Sequence, residues 1–158
     1  MRLYLMQHGR SATKEEDTER PLTSQGADEV IKIAEFLGKA GVRVSRVLHS
    51  GKTRARQTAE IIMSRLNPGE EPVAQKGLSP MDDVKDCFDQ INGLKDDIMI
   101  VGHLPHLTRL VSLLIAGSES IPVVAFQYGG VVCLSMDNEL HWSISWMVVP
   151  GMVRNPLP

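Results

Sequence analysis

The chain has 158 residues, 42% hydrophobic and 23% charged, which fits one domain with one core and excludes a disordered, collagen-like or membrane-embedded composition. A formal net charge of −2 gives no general pull toward nucleic acid or acidic lipid, so an anion site has to come from a local cluster of cations. Cys87 and Cys133 form no Cys-x-x-Cys pair and read as buried free thiols in a reducing compartment.

The first element is a short apolar run, Leu3-Tyr4-Leu5-Met6. Its continuity predicts a strand buried on both faces. It is too short for a signal-peptide core, and no apolar stretch reaches the length of a membrane span, so a cytoplasmic location is expected. Arg10 to Arg20 is polar and predicts a surface loop. After Pro21-Leu22-Thr23, the residues Ala27, Val30, Ile33, Ala34 and Leu37 recur at helical spacing, and Gly38 and Gly41 mark the helix end.

Arg46-Val47-Leu48-His49 predicts a second strand, followed at once by a helix with Ala55, Ala59, Ile62 and Leu66 on one face. Asn67-Pro68-Gly69 stops it; Pro72 to Gln75 is a candidate short strand, and Asp82 to Ile91 a weaker helix. Ile98-Met99-Ile100-Val101 is the clearest buried strand, and a helix bearing Leu107, Leu110, Val111 and Leu114 begins near Pro105. Val123–Met136 and His141–Val149 read as two β segments around an Asp137-Asn138 turn.

Strands alternating with helices predict an α/β fold: a three-layer α/β/α sandwich with a mostly parallel sheet and a C-terminal antiparallel edge, residues 1–158 forming one domain. Three polar clusters fall just after strands: Gln7-His8-Gly9-Arg10-Ser11, His49-Ser50 and Gly102-His103. The crevice beyond the carboxyl ends of strands is where open α/β sheets bind ligands. The pattern therefore gathers these clusters on one rim.

The chemistry on that rim suits an anion. Gly9 allows a tight turn and close approach of a ligand to the backbone. Arg54 sits in the first turn of a helix, where a cation is unfavourable unless an anion lies between it and the dipole. Gly51-Lys52-Thr53 lacks the earlier glycine of a nucleotide phosphate loop, position 46 being Arg. His103 ends the clearest strand. His106 reads as a helix-surface histidine, Arg56 as a solvated side chain, and His49 and His141 as structural. No acidic or cysteine partner with ligand spacing supports a metal at His103 and His106.

Leu5-Met6-Gln7-His8-Gly9-Arg10-Ser11 resembles the Arg-His-Gly signature of the histidine phosphatase superfamily. Ser50-x-x-x-Arg54-Ala55-x-Gln57-Thr58 is similar to its second motif, and Gly102-His103 to its second histidine. Arg20-Pro21-Leu22-Thr23, Leu78-Ser79-Pro80 and Gly102-His103-Leu104-Pro105 resemble the SixA-type phosphohistidine phosphatases in particular. The resemblance runs from residue 3 to about residue 116 and is weaker in the tail.

It implies an enzyme that needs no metal or cofactor. His8 attacks phosphorus in line and becomes a phosphohistidine, which water hydrolyses. Arg54 and His103 hold the phosphoryl oxygens; Gln7, Gly9, Arg10, Ser11 and Arg20 are the further candidate phosphate-binding residues. The expected partner is a phosphohistidine-bearing protein or a small phosphorylated molecule. Two departures from the family pattern matter. Gln7 replaces the signature arginine, removing a charge and a bidentate fork; Arg10 is the candidate to restore it, or else is merely exposed. No leaving-group acid stands out, since Asp82 and Asp83 read as helix starters, and this favours a labile P–N bond. The competing readings are a phosphate-sensing or protein-binding module with little activity, a small-molecule phosphate monoesterase and, more weakly, a mutase.

Overall fold

Residues of one strand point alternately to opposite faces of its sheet, and the apolar runs use both directions. In the computed structural model, which describes residues 1–154, the elements run β1 (Arg2–Gln7), α1 (Ser24–Lys39), β2 (Arg46–His49), α2 (Thr53–Leu66), β3 (Val73–Ala74), α3 (Val84–Asn92), β4 (Ile98–Gly102), α4 (His106–Ala116), β5 (Val131–Met136) and β6 (Trp142–Val148). Tyr4 and Met6 of β1, with Val47, Met99 and Val101, pack against Val30, Ile33 and Leu37 of α1 and Ala55, Ala59 and Ile62 of α2. Leu3 and Leu5, with Leu48, Ile98 and Ile100, pack against Val84 and Ile91 of α3 and Leu107, Leu110 and Val111 of α4. Two cores thus lie on the two sides of one sheet, as the continuous runs predict.

The six strands have the order β3-β2-β4-β1-β5-β6. β3, β2, β4 and β1 are parallel, and β5 and β6 add antiparallel strands at one edge. The fold is the expected α/β/α sandwich. No helix among the described residues is long and apolar enough to cross a membrane.

Local chemistry sets the helix starts. The Thr23 side chain caps α1 by accepting from the Gly26 N–H, and Asp83 caps α3 by accepting from the Lys85 N–H. Asp82 instead accepts from the Ser79 N–H at 2.8 Å. Both cysteines are buried and free.

One expected strand is corrected. Pairing in the segment read as Val123–Met136 begins only at Val131. Gly129 has a left-handed φ of 69°, and its N–H serves the carbonyls of Gln7 and His8 at 3.1 and 3.2 Å. Gly129 and Gly130 turn the chain, so residues 123–130 form a strap over the end of β1 instead of a ladder partner.

Gly26 is the point of closest approach between α1 and the segment after β1. A Cβ there would lie 2.1 Å from the Arg10 carbonyl oxygen. Gly26→Ala is therefore expected to cost about 1–3 kcal/mol through forced backbone displacement, read as a lower Tm in thermal unfolding. An unchanged Tm would contradict this contact.

Candidate active site

The register of the central strands brings the polar clusters together. Gln7 of β1 pairs with Gly102 of β4, and His49 of β2 with Val101. His8, His103 and Ser50 therefore emerge beside one another at the carboxyl edge of the sheet. The His8 and His103 rings lie 5.0 Å apart between centroids.

Backbone contacts orient His8. Its Nδ1 is 2.7 Å from the Gly9 carbonyl oxygen; a carbonyl only accepts, so Nδ1 carries the proton and Nε2 keeps its lone pair. Arg54 donates its Nε–H to that Nε2 at 3.3 Å. Gly9 donates its N–H to Thr58 Oγ1 at 3.0 Å, and Thr58 donates to the Arg54 carbonyl at 2.8 Å. The fully buried Thr58 thus couples the His8 backbone to the helix turn bearing Arg54.

Gly9 is required for packing: a Cβ would lie 2.8 Å from Val30 Cγ2 and 3.1 Å from both Leu22 Cδ2 and the Gly26 carbonyl oxygen. It is not among the glycines with left-handed φ, so the expected reason, a tight turn, gives way to close approach of α1. Both its backbone polar groups are engaged behind His8.

Electrostatically the site is a partly dry pocket of positive charge. Burial pushes the His8 imidazole down to about 4, aided by the Arg54 and Arg20 guanidinium groups. His103 is pushed down to about 3, first by burial and then by His8 and Arg54. Burial also lowers Arg54, with Arg20 adding to the effect. Among the described residues no carboxylate lies within ion-pair distance of Arg54 or Arg20, although Arg54 is only 9% exposed. An unpaired buried cation is costly.

The remaining candidates divide. Arg20 belongs to this field, held by Nε donation to the Ala12 carbonyl at 3.2 Å with a left-handed φ of 50°. Such a backbone is uncommon for a residue with a Cβ. Arg10 turns outward: its Nε pairs with Glu29 at 3.2 Å, and its guanidinium carbon lies 5.5 Å from the centre of the Tyr128 ring. Ser11 makes an isolated bridge to Leu22. Gln7 is buried, and its Oε1 has no hydrogen-bond partner.

His106 is corrected. It is fully buried, not on the helix surface, and neither ring nitrogen has a hydrogen-bond partner. Burial lowers its basicity, and the Gly77 backbone and the Asp82 charge act on its ring in the opposite sense. Arg56 pairs with Glu60 on the surface, and His49 accepts from the Gly51 N–H at 3.1 Å; both match their structural readings. No three His, Cys, Asp or Glu side chains among the described residues converge as a metal cluster would.

Three neighbours had no assigned role in the sequence. Ser50 Oγ lies 2.6 Å from His103 Nε2; its place in the second motif was the available signal. Thr58 belonged to the same motif. The Tyr128 ring lies 5.6 Å from that of His8, and no motif pointed to it; the Gly129-Gly130 pair after it was the one hint that its segment is a strap.

The fold is an α/β sandwich with a histidine facing an arginine at the carboxyl edge of its sheet. Residues 3–82 match the histidine phosphatase superfamily (branch 1), and the chain belongs to that superfamily. It is similar to the phosphohistidine phosphatase SixA of Escherichia coli, with 29% identity over 95% of this chain and 94% of that one. The structure of the protein histidine phosphatase SixA complexed with tungstate superposes with a TM-score of 0.84 at 27% identity, covering 98% of this chain and all of that one. A phosphoserine phosphatase from Entamoeba histolytica, in complex with phosphoserine, shares the fold with a TM-score of 0.65 at 14% identity, over 92% and 95% of the two chains.

A histidine titrating at about 4 is neutral above that pH and becomes imidazolium only as pH falls through it. Its Nε2 is then unprotonated across the neutral range, its lone pair held only by the Arg54 N–H. NMR titration of labelled histidine is expected to place the His8 midpoint at about 4, well below the ordinary 6.5; a midpoint at 6 or above would contradict the burial described.

Proposed function

We propose that the chain is a phosphohistidine phosphatase acting through a phosphorylated His8, with protein phosphohistidine as its substrate. The observation that carries this reading is the buried Arg54, with no carboxylate partner, donating to the unprotonated Nε2 of His8. A phosphoryl group entering there presents oxygen to the guanidinium and phosphorus to the lone pair. The SixA relatives, one named as binding tungstate, support the same reading.

In the first step His8 Nε2 forms a bond to phosphorus as the substrate P–N bond breaks, and the departing imidazole takes a proton from water. In the second, water attacks phosphorus, the Nε2–P bond breaks and phosphate leaves. Two easier steps replace a hard one. Arg54, Arg20 and His103 stabilise charge on the phosphoryl oxygens, with Gln7 as an uncharged donor. Gly9 positions His8, while Arg10 and Ser11 stand at the edge. The scheme calls on no metal or cofactor.

Carboxylates near the rim are committed elsewhere: Asp82 to Ser79, Asp83 to Lys85, Glu19 to Thr53 and Glu29 to Arg10. None makes a hydrogen bond or ion pair with His8, which favours a labile P–N bond over an alkyl ester. A phosphorylated protein as partner and a cytoplasmic location belong to this reading.

The test is rapid quenching after mixing with a phosphohistidine-bearing protein. Acid-labile phosphate on His8 is expected; equal phosphate release by wild type and His8→Ala would overturn the enzyme reading. The buried, uncharged Gln7 favours a second reading, a phosphate-sensing module, and a large gain of turnover in Gln7→Arg would support it. Arg20→Ala is expected to lower kcat/KM by about ten- to a hundredfold, the loss of one charged hydrogen bond. Arg10→Ala should cost much less, and the reverse order would assign the compensating charge to Arg10.

A further inference from the structure

Beside the phosphoryl pocket a cleft of about 360 Å³ is lined by Gln7, Arg10, Leu104, Phe126, Gln127 and Tyr128. We propose that this cleft is a subsite for an apolar side chain next to the phosphorylated residue of a polypeptide substrate, with Leu104 and Tyr128 as its specificity-determining walls. The proposal rests on the phosphohistidine reading above and names what that substrate must carry.

The cleft adjoins the reacting centre. Leu104 follows His103, Gln7 precedes His8, and the Tyr128 ring is 5.6 Å from the His8 ring. A side chain next to the group that His8 attacks is within reach of it. The walls are apolar and open: Leu104 is 39% exposed and Tyr128 40%. Large apolar side chains that share a cleft at a pocket mouth leave surface for a partner to cover.

The cleft also carries the side-chain amides of Gln7 and Gln127 and the Tyr128 hydroxyl. The Arg10 guanidinium is paired with Glu29 and lies against the Tyr128 ring, so its charge is partly satisfied before a ligand arrives. An aromatic or aliphatic side chain packs against Leu104, Phe126 and the Tyr128 ring without needing a polar partner. The opposite flank differs: a cavity of about 380 Å³ behind Ser50 is lined with Lys76, Gln75, Ser79 and Asp82. The reacting centre therefore has a cleft on each flank, one with three large apolar side chains and one without, which suits a residue flanked by chain in both directions.

The cleft is also preformed. The strap carrying Phe126 and Tyr128 is fixed to the end of β1 by Gly129 N–H bonds to the Gln7 and His8 carbonyls at 3.1 and 3.2 Å, and by the Gln7 N–H bond to the Gly130 carbonyl at 3.3 Å. Little ordering remains to oppose binding.

The test compares phosphoramidate with two synthetic phosphohistidine peptides, one with Phe and one with Ser on both sides of the phosphorylated residue. Wild type is expected to show about tenfold higher kcat/KM for the Phe peptide, chiefly through KM, the discrimination an open apolar pocket supports. Leu104→Ser should abolish that preference and leave phosphoramidate turnover unchanged. Equal or reversed handling of the peptides by wild type overturns the subsite, as does a preference that survives in Leu104→Ser. The wild-type comparison decides alone if the variant folds poorly. If wild type turns over neither phosphoramidate nor peptides, the phosphohistidine reading falls and takes the subsite with it; phosphoramidate turnover with equal peptides removes the subsite alone.

Discussion

The parallel pairing of β1 with β4, and within it the match of Gln7 to Gly102, is the constraint on which the site depends. It places one histidine just past the end of each strand, so that two residues almost a hundred positions apart become neighbours. A slip of one residue would turn the apolar residues of β1 to the wrong faces and separate the histidines. Burial on both faces holds the register: Leu3 and Leu5 belong to one core, Tyr4 and Met6 to the other. The stability of the sheet and the geometry of the site are thus set by the same contacts.

Around that pairing the site is built mainly from backbone. The Gly9 carbonyl fixes the tautomer of His8, the Gly9 N–H joins it to Thr58, and the Arg54 carbonyl closes the link. Side chains that could wander are not needed for orientation. The charge is handled differently. Arg54 is buried without a carboxylate and Arg20 is held in an unfavourable backbone conformation beside it. Both arrangements oppose stability when considered alone, and strain of this kind concentrates at functional positions. They become reasonable where an anion is the missing partner.

Gln7 stands where the signature that the sequence resembles has an arginine, and its consequence is local. The position stays buried at the end of β1, but with an uncharged amide. The nearest replacement in sequence, Arg10, is turned toward Glu29, whereas the charge felt by His8 and Arg54 is that of Arg20. Distance along the chain is a poor guide here, because the loop after β1 folds back through the Ser11–Leu22 bridge and returns its far end to the site. Tyr128 arrives in a similar way, from a strap that the glycine pair bends away from the sheet.

Much of the fold was legible in the sequence, because its signals are local. Continuous apolar runs mark strands buried on both sides, helical spacing marks the helices, and a polar cluster after each of three strands marks the rim. Those signals determined the α/β layering and nominated His8, Arg54 and His103. The reading failed where a long-range contact decides. Val123–Met136 has strand-like residues, yet the pull of β1 on the Gly129 N–H delays pairing to Val131. His106 has a polar side chain on an amphipathic helix, yet it is fully buried at the helix start. Gly9 looked like a turn residue and is instead a packing residue. By itself the sequence determined which elements form and which groups stand at strand ends, since hydrophobic period and turn chemistry are properties of neighbouring residues. Only the tertiary structure decided which nitrogen of His8 is free, which arginine shares its field and what lines the cleft beside it, because those depend on atoms that chain distance keeps apart and register brings into contact.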